Sequence, residues 1–408
     1  MLKPEVPEDC KFSGSSKVSL LVPGPFLGEA EIIRETSTHN LSYTMLLFII
    51  ALFFAASAVS GAELWVPTTP QSVRPYALKK GHGIKLAGGN TFPITGNSTG
   101  GAFCILNTNA GGFGGGVGGF PHVHKKTYEN FYAVKGRVQL WGQNLDTYKS
   151  NTSIQQTRIL GPGDIGAIPF NTIHTFTLLE PDTQLTGVLV PGGFEEFFFN
   201  MNMGFGPGGG FDNSALAKWD VYPQPDFVPR ADAVNGRGGT GNWYDGPNPL
   251  PQDNSAPIWV AKNYGPKWLN SEGGRYQIVT PFVTGELTNG TFSQGTITLS
   301  PLGGGNGAKG APSVKSSEAT AFMMEEGELE VVVEGYDTVS LIDGDLVFVP
   351  ANTSFSYAAT AEFTKFMYIA GGGKGLDYDL IARGKTWDSA FYPDDESIGG
   401  SLGRMVRI

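Results

Sequence analysis

Charge is scarce in this chain. Only 16% of its 408 residues are Asp, Glu, Lys or Arg, against about 25% in an ordinary globular protein. The 28 Lys and Arg are outnumbered by 38 Asp and Glu, and they form no long basic run. A net charge of -10 repels phosphate, which excludes nucleic acid as a partner. Cysteine is almost missing, with Cys10 and Cys104 alone. Cys10 falls in a doubtful N-terminal stretch, so the remaining chain has no intramolecular disulfide. Cys104, in the apolar run 102–106, reads as a buried inert thiol. Heptads are absent, which excludes a coiled coil. The longest apolar run, Met45 to Val59, falls short of the roughly 20 residues of a membrane helix.

Glycine and proline are abundant instead, at 58 and 27 residues. They follow no Gly-X-Y period, which excludes collagen. With 40% hydrophobic and 12% aromatic residues, the chain has enough apolar surface to build cores. Short β-branched runs between Gly, Pro and Asn predict strands and an all-β fold. The runs are 102–106, 137–141, 157–160, 165–168, 175–179 and 184–190, then 276–279, 295–299, 329–333, 345–350 and 364–369. One helix is expected over 194–203. Residues 203–257 have the composition of a linker. They also hold Trp219, Tyr222, Phe227, Trp243 and Tyr244, and flexible linkers avoid aromatics. The segment is therefore expected to pack on the domains, with a short helix at 214–219.

The two flanking regions repeat each other. Pro121 to Gly136 aligns with Pro312 to Gly327, and Gly163-Asp164…Pro169 aligns with Gly344-Asp345…Pro350. A whole domain is duplicated. The organisation expected is an N-terminal domain over 63–205, a linker over 206–257 and a C-terminal domain over 258–408.

The run 45–59 matches the apolar region of a secretory signal, with Ser60-Gly61-Ala62 as a cleavage site. We read Met45 as the start, 45–62 as the signal and 1–44 as a gene-model extension. A signal anchor with a cytosolic tail is the alternative, and its C-terminal flank lacks the charge expected of one. Sequons at Asn97, Asn151, Asn289 and Asn352 agree with a secreted, glycosylated protein that has no membrane contact after cleavage.

Histidine is rare too, with five residues, and three converge in one pattern. His122, His124 and Glu129 fall between Gly116 and Gly136, and His174 follows Gly163 and Pro169. On a strand, residues two apart share a face, so His122 and His124 project together. Glu129 returns after a turn at Lys125-Lys126-Thr127, whose lysines read as solvated. His174 arrives from a second hairpin. Three imidazoles and a carboxylate make a site for a first-row transition metal with a coordination position open, and three nitrogen donors disfavour Ca²⁺. The net +1 of such a site suits an anionic ligand such as a phenolate.

These motifs resemble the cupin superfamily, which implies two jelly-roll β-barrels joined by the linker, a bicupin. The second motif departs at Asn171, where Gly is preferred, and at Leu178, where Asn is frequent. The stretches PHVHKKTYENFYAVKGRVQLWGQN, GDIGAIPFNTIHTF and TGVLVPGGFEEFFF closely resemble fungal quercetin 2,3-dioxygenases, secreted glycosylated bicupins that use copper. The resemblance covers most of residues 70–205 and extends more weakly beyond. It implies one Cu²⁺ per chain, though the ligand set also accepts Mn, Fe, Co or Ni. It implies a flavonol such as quercetin and O₂ as substrates, with CO and a depside as products. Glu129 would also be the catalytic base. Phe131 and Phe176 would sandwich the flat substrate, and Thr108, Leu106 and Leu185 would line the pocket. Leu106 and Leu185 replace family methionines, and Asn90 falls near a family tyrosine. The glycine-rich loop 110–120 is either a lid or a permissive loop. The oligomeric state is open, a homodimer included.

In the second half, His122, His124, Glu129 and His174 align with Ser313, Lys315, Thr320 and Phe355. The metal ligands are lost there, so the second barrel is expected to be structural. The acidic run Glu325-Glu326-Gly327-Glu328 is read as a solvated turn. Two alternatives remain. An oxalate decarboxylase- or oxidase-like cupin typically uses both domains' motifs, and a storage or binding bicupin has usually lost both.

Overall fold

The computed structural model describes residues 61–86, 89–109, 118–200, 216–230, 243–244, 246–272, 274–303 and 307–393. The expected extension, the signal up to Ser60, the loop 110–117 and the ends of both expected helices, 201–203 and 214–215, lie outside the described residues. Described strands pair antiparallel into four sheets, two for each jelly roll. Among the described residues, no helix is long and apolar enough to cross a membrane.

The first barrel opposes a five-stranded and a seven-stranded sheet. The five-stranded sheet carries His122–Val123, Thr172–Leu178 and Val138–Asn144. The seven-stranded sheet carries Tyr128–Lys135, Gln184–Val190 and Cys104–Asn109. The second barrel opposes an eight-stranded and a four-stranded sheet. The protein is all-β and a bicupin.

Each barrel borrows its outermost strand from the segment that leads into the other. Tyr76–Leu78, which precedes the first barrel, pairs with Leu346–Val349 of the second. Ile258–Val260, which precedes the second, pairs with Ile165–Ile168 of the first. The expected boundaries at 63 and 258 thus follow the chain and not the sheets. Both joints are pinned alike. Asp345 accepts the Lys80 N–H at 3.0 Å, and Asp164 accepts the Lys262 N–H at 2.8 Å.

The barrels pack through the outer faces of their larger sheets. Along Tyr128–Lys135 the period-2 alternation of a strand sends Phe131 and Ala133 into the first barrel's core. Tyr128 and Tyr132 go instead to a core shared with Phe282, Met323 and Phe348. Polar ties cross this apolar layer. Asn130 donates to Gln294 at 2.7 Å, and the Tyr132 hydroxyl donates to Glu325. Lys365 also reaches Glu325 at 3.5 Å. Glu325 is therefore an interface acceptor, which corrects its reading as part of a solvated turn.

Inside the second barrel, aromatic rings fill the space where the first holds its polar cluster. Phe322 stands 5.8 Å from Phe355 and 4.8 Å from Phe366 between centroids. The aligned positions need a one-residue correction. Val314, not Ser313, pairs with Phe355, as His122 pairs with His174. Asn352 N–H donates to Ser316 just as Asn171 N–H donates to His124. The counterparts of the two histidines are thus Val314 and Ser316, and Lys315 is exposed.

The expected helix at 194–203 is observed as Glu195–Asn200. Leu216, Val221, Phe227 and Trp243 of the linker are buried, in line with its aromatic content. Cys104 is buried and free.

Candidate metal centre

Local backbone chemistry brings the four candidate ligands together. His122 and His174 face each other across a two-strand ladder. Glu129 lies on the opposing sheet, paired with Ile168. The turn into His174 uses Asn171 at φ 60, a left-handed conformation that Asn tolerates better than most residues. That explains why the motif survives without its usual glycine. Asn352 repeats the conformation at φ 60 in the second barrel.

All four ligand atoms lie within 4.8 Å of one another, and all four residues are buried. His174 Nε2 lies 2.9 Å and His124 Nε2 3.1 Å from Glu129 Oε2. His122 Nε2 lies 3.2 Å from His124 Nε2 and 3.8 Å from Glu129 Oε2. A central ion at about 2.1 Å from each donor would space its ligands about 2.9 to 3.4 Å apart, depending on geometry. The separations of 2.9, 3.1 and 3.2 Å match that spacing, while His122 Nε2 stands back from Glu129 Oε2 at 3.8 Å.

Protonation sharpens the fit. Each imidazole Nδ1 sits on a backbone carbonyl: Phe120 at 2.7 Å, Asp220 at 2.7 Å and Thr172 at 3.1 Å. A carbonyl only accepts, so each Nδ1 carries a hydrogen and each neutral imidazole presents a bare Nε2 lone pair. Three lone pairs and a carboxylate then meet with no donor among them. Such a set is suited to hold a metal cation. Burial, reinforced by the neighbouring His174, pushes His122 down to about 4. Burial pushes Glu129 upward, but its close contacts with His122, His124 and His174 outweigh it and hold the carboxyl well below its usual range. Neutral imidazole and ionised carboxylate are the ligating forms.

Phe131 and Phe176 line one side of the centre, but they do not form the expected slot. Their centroids are 5.2 Å apart with the planes at 51°, whereas an inserted flat ring needs about 7 Å between its two covers. They pack on each other as a single wall, with Phe131 also edge-on to His174 at 5.7 Å. Leu185 joins this cluster. Leu106 registers with Gly187, as Phe131 does from the other side, and packs with Leu189 and Phe194. Thr108 donates to Asn90 at 3.0 Å, at the rim of the same sheet. Of the loop before the ligands, Gly118 is described. A Cβ there would fall 1.6 Å from the Phe176 carbonyl oxygen, so this position requires glycine. Lys125 and Lys126 are exposed, as expected.

Two supporting groups escaped the sequence reading. Phe194 sets its ring edge-on to His124 at 5.0 Å. Asp220, in the linker, supplies the carbonyl to His124 and binds the turn after it. Neither has a sequence signal, because each acts across a long chain separation. The sequon residues Asn97, Asn151, Asn289 and Asn352 are all exposed.

No family model matches the chain. It is 36% identical over 360 residues to the quercetin 2,3-dioxygenase of Aspergillus japonicus, covering 82% of this chain and 99% of that protein. It is 30% identical over 155 residues to the quercetin 2,3-dioxygenase of Bacillus subtilis (strain 168), covering 37% of this chain and 41% of that one. Among solved structures, the formate complex of Lactobacillus farciminis oxalate decarboxylase aligns with a TM-score of 0.42 at 11% identity. That alignment covers 71% of this chain and 83% of the other. The nearly full-length match to the Aspergillus enzyme places the centre in context: the chain belongs to the quercetin 2,3-dioxygenase family and is a cupin dioxygenase with a metal-binding first barrel.

Proposed function

We propose that the protein is a secreted copper enzyme that opens the heterocyclic ring of a flavonol such as quercetin with O₂, releasing CO and leaving a depside. The observation that carries this reading is the convergence of three bare imidazole nitrogens and one carboxylate in a buried cluster flanked by aromatic rings. His122, His124, Glu129 and His174 would hold the ion. When bound, copper supplies Lewis acidity that makes the flavonol 3-hydroxyl more acidic, and one-electron chemistry towards O₂.

The remaining work falls to the protein. Glu129 Oε2 takes the 3-hydroxyl proton. A carboxylate held this anionic is a weak base, so the transfer depends on an acidified hydroxyl. The Phe131 and Phe176 wall gives the flat ligand an apolar face to stack on. Burial excludes water that would compete for the reacting carbons. Flavonol plus O₂ equals depside plus CO, so the balance needs no external reductant.

Aerobic incubation with quercetin tests the proposal. Bleaching of the flavonol band should accompany one CO per quercetin consumed. Metal-loaded protein that leaves quercetin intact would defeat it, and turnover of oxalate instead would favour the decarboxylase-like alternative. Secretion and glycosylation are part of the same proposal, supported by the exposure of all four sequon asparagines. Glycosidase treatment of the secreted protein should lower its mass, and an unchanged mass would refute the glycosylation.

A further inference from the structure

We propose that Asp220 is a positioning residue for the metal centre: its carbonyl aims His124, and its carboxylate fixes that carbonyl in place. This rests on the reading of the four buried ligands as a metal site, and it concerns a linker residue outside both cupin motifs.

The three ligand histidines are oriented by different means. His122 and His174 use carbonyls two residues back on their own strands, Phe120 and Thr172. His124 depends on Asp220, 96 positions away in the chain, at 2.7 Å. The same Asp220 grips the turn that follows His124. Its Oδ1 accepts the Lys125 N–H at 3.0 Å. Its Oδ2 accepts the Lys126 N–H at 2.9 Å, the Thr127 N–H at 3.0 Å and the Thr127 hydroxyl at 3.0 Å. One residue thus binds the ligand and its supporting turn together.

The backbone around Asp220 is held from both sides. Its φ of 61 is a left-handed conformation that costs an Asp free energy and persists where the surroundings enforce it. Leu216 and Val221 are buried against Phe194 and Phe197. Tyr222–Pro223 then adds a strand to His122–Val123, and Gln224 N–H donates to Pro121 at 2.8 Å. A group that orients a metal-bound imidazole through its second nitrogen typically changes metal affinity by about 10–100-fold when lost. By linkage, the bound ion should also favour docking of this linker segment.

The test measures Cu²⁺ affinity by chelator competition on the full chain. Asp220→Gly removes the carboxylate while leaving a residue at ease at positive φ. The comparison is Asp345→Asn, which weakens a similar cap in the second barrel, where Asp345 accepts from Lys80 and Ile342 N–H groups. Asp220→Gly should weaken Cu²⁺ binding at least fivefold and alter the nitrogen hyperfine structure of its EPR spectrum. Asp345→Asn should lower thermal stability and leave affinity and spectrum at wild-type values. Asp220→Gly binding within fivefold of wild type would overturn the inference alone. A wild type that binds no Cu²⁺ would overturn the metal reading and this inference with it. If the glycine variant fails to fold, Asp220→Asn serves with the same fivefold threshold, since Asn tolerates the backbone and keeps one acceptor.

Discussion

His174→Ala should abolish flavonol cleavage and deplete the metal together. His174 is fully buried, and its Nε2 lies 2.9 Å from Glu129 Oε2. Alanine would leave two imidazoles and a carboxylate, with a gap on the strand that faces His122. A metal acting as Lewis acid contributes several kcal/mol to a reaction of this kind. We expect kcat/KM to fall by at least about 10³-fold, equivalent to about 4 kcal/mol. Glu129→Gln separates two roles. The neutral side chain keeps its shape and an acceptor oxygen, so more metal should remain than in His174→Ala. Proton transfer is lost, and kcat should drop by about 10²–10⁴-fold. Steady-state kinetics with metal analysis of the same samples reads both effects. Metal-free His174→Ala with wild-type turnover would contradict the assignment.

Glu325→Ala should be the most destabilising single change at the contact between the barrels. Glu325 accepts from the Tyr132 hydroxyl and pairs with Lys365 at 3.5 Å, and the Lys365 side chain is 7% exposed. Alanine leaves a buried ammonium and a buried hydroxyl without their acceptor. Breaking a buried pair this way costs about 3–5 kcal/mol. For a protein of this size that lowers Tm by roughly 4–7 °C. Glu325→Gln keeps an acceptor for Tyr132 and should cost less, about 1–2 kcal/mol. Calorimetry on the metal-free protein separates this loss from ligand-linked stabilisation. An Ala variant that melts with wild type would mean that the barrels do not depend on this contact.

Much of this architecture is legible in the sequence because its determinants are local. The strands 165–168, 184–190 and 329–333 are observed over those same residues, since alternating or β-branched runs between turn residues leave little freedom. The metal ligands are legible for the same reason: two histidines share a strand face, and short turns bring the others. What escaped was non-local. Nothing around Tyr76 announces that it pairs with Phe348 instead of joining the barrel it precedes. The one-residue slip at Val314 is invisible because a constant alignment offset absorbs it. Phe131 and Phe176 share the ligand face as expected, but face-sharing does not fix ring separation, and packing closed the slot. Asp220 was hidden because a backbone carbonyl carries no residue signature.

The central claim is that one metal ion binds per chain, in the first barrel. It is tested most directly by elemental analysis of protein purified without added metal or chelator, beside His122→Ala and Phe355→His. We predict close to one transition-metal equivalent per wild-type chain and nearly none in His122→Ala. Phe355→His should stay at one, because a single imidazole among Val314, Ser316 and Thr320 builds no site. Two equivalents in the wild type, or one that survives His122→Ala, would contradict the account.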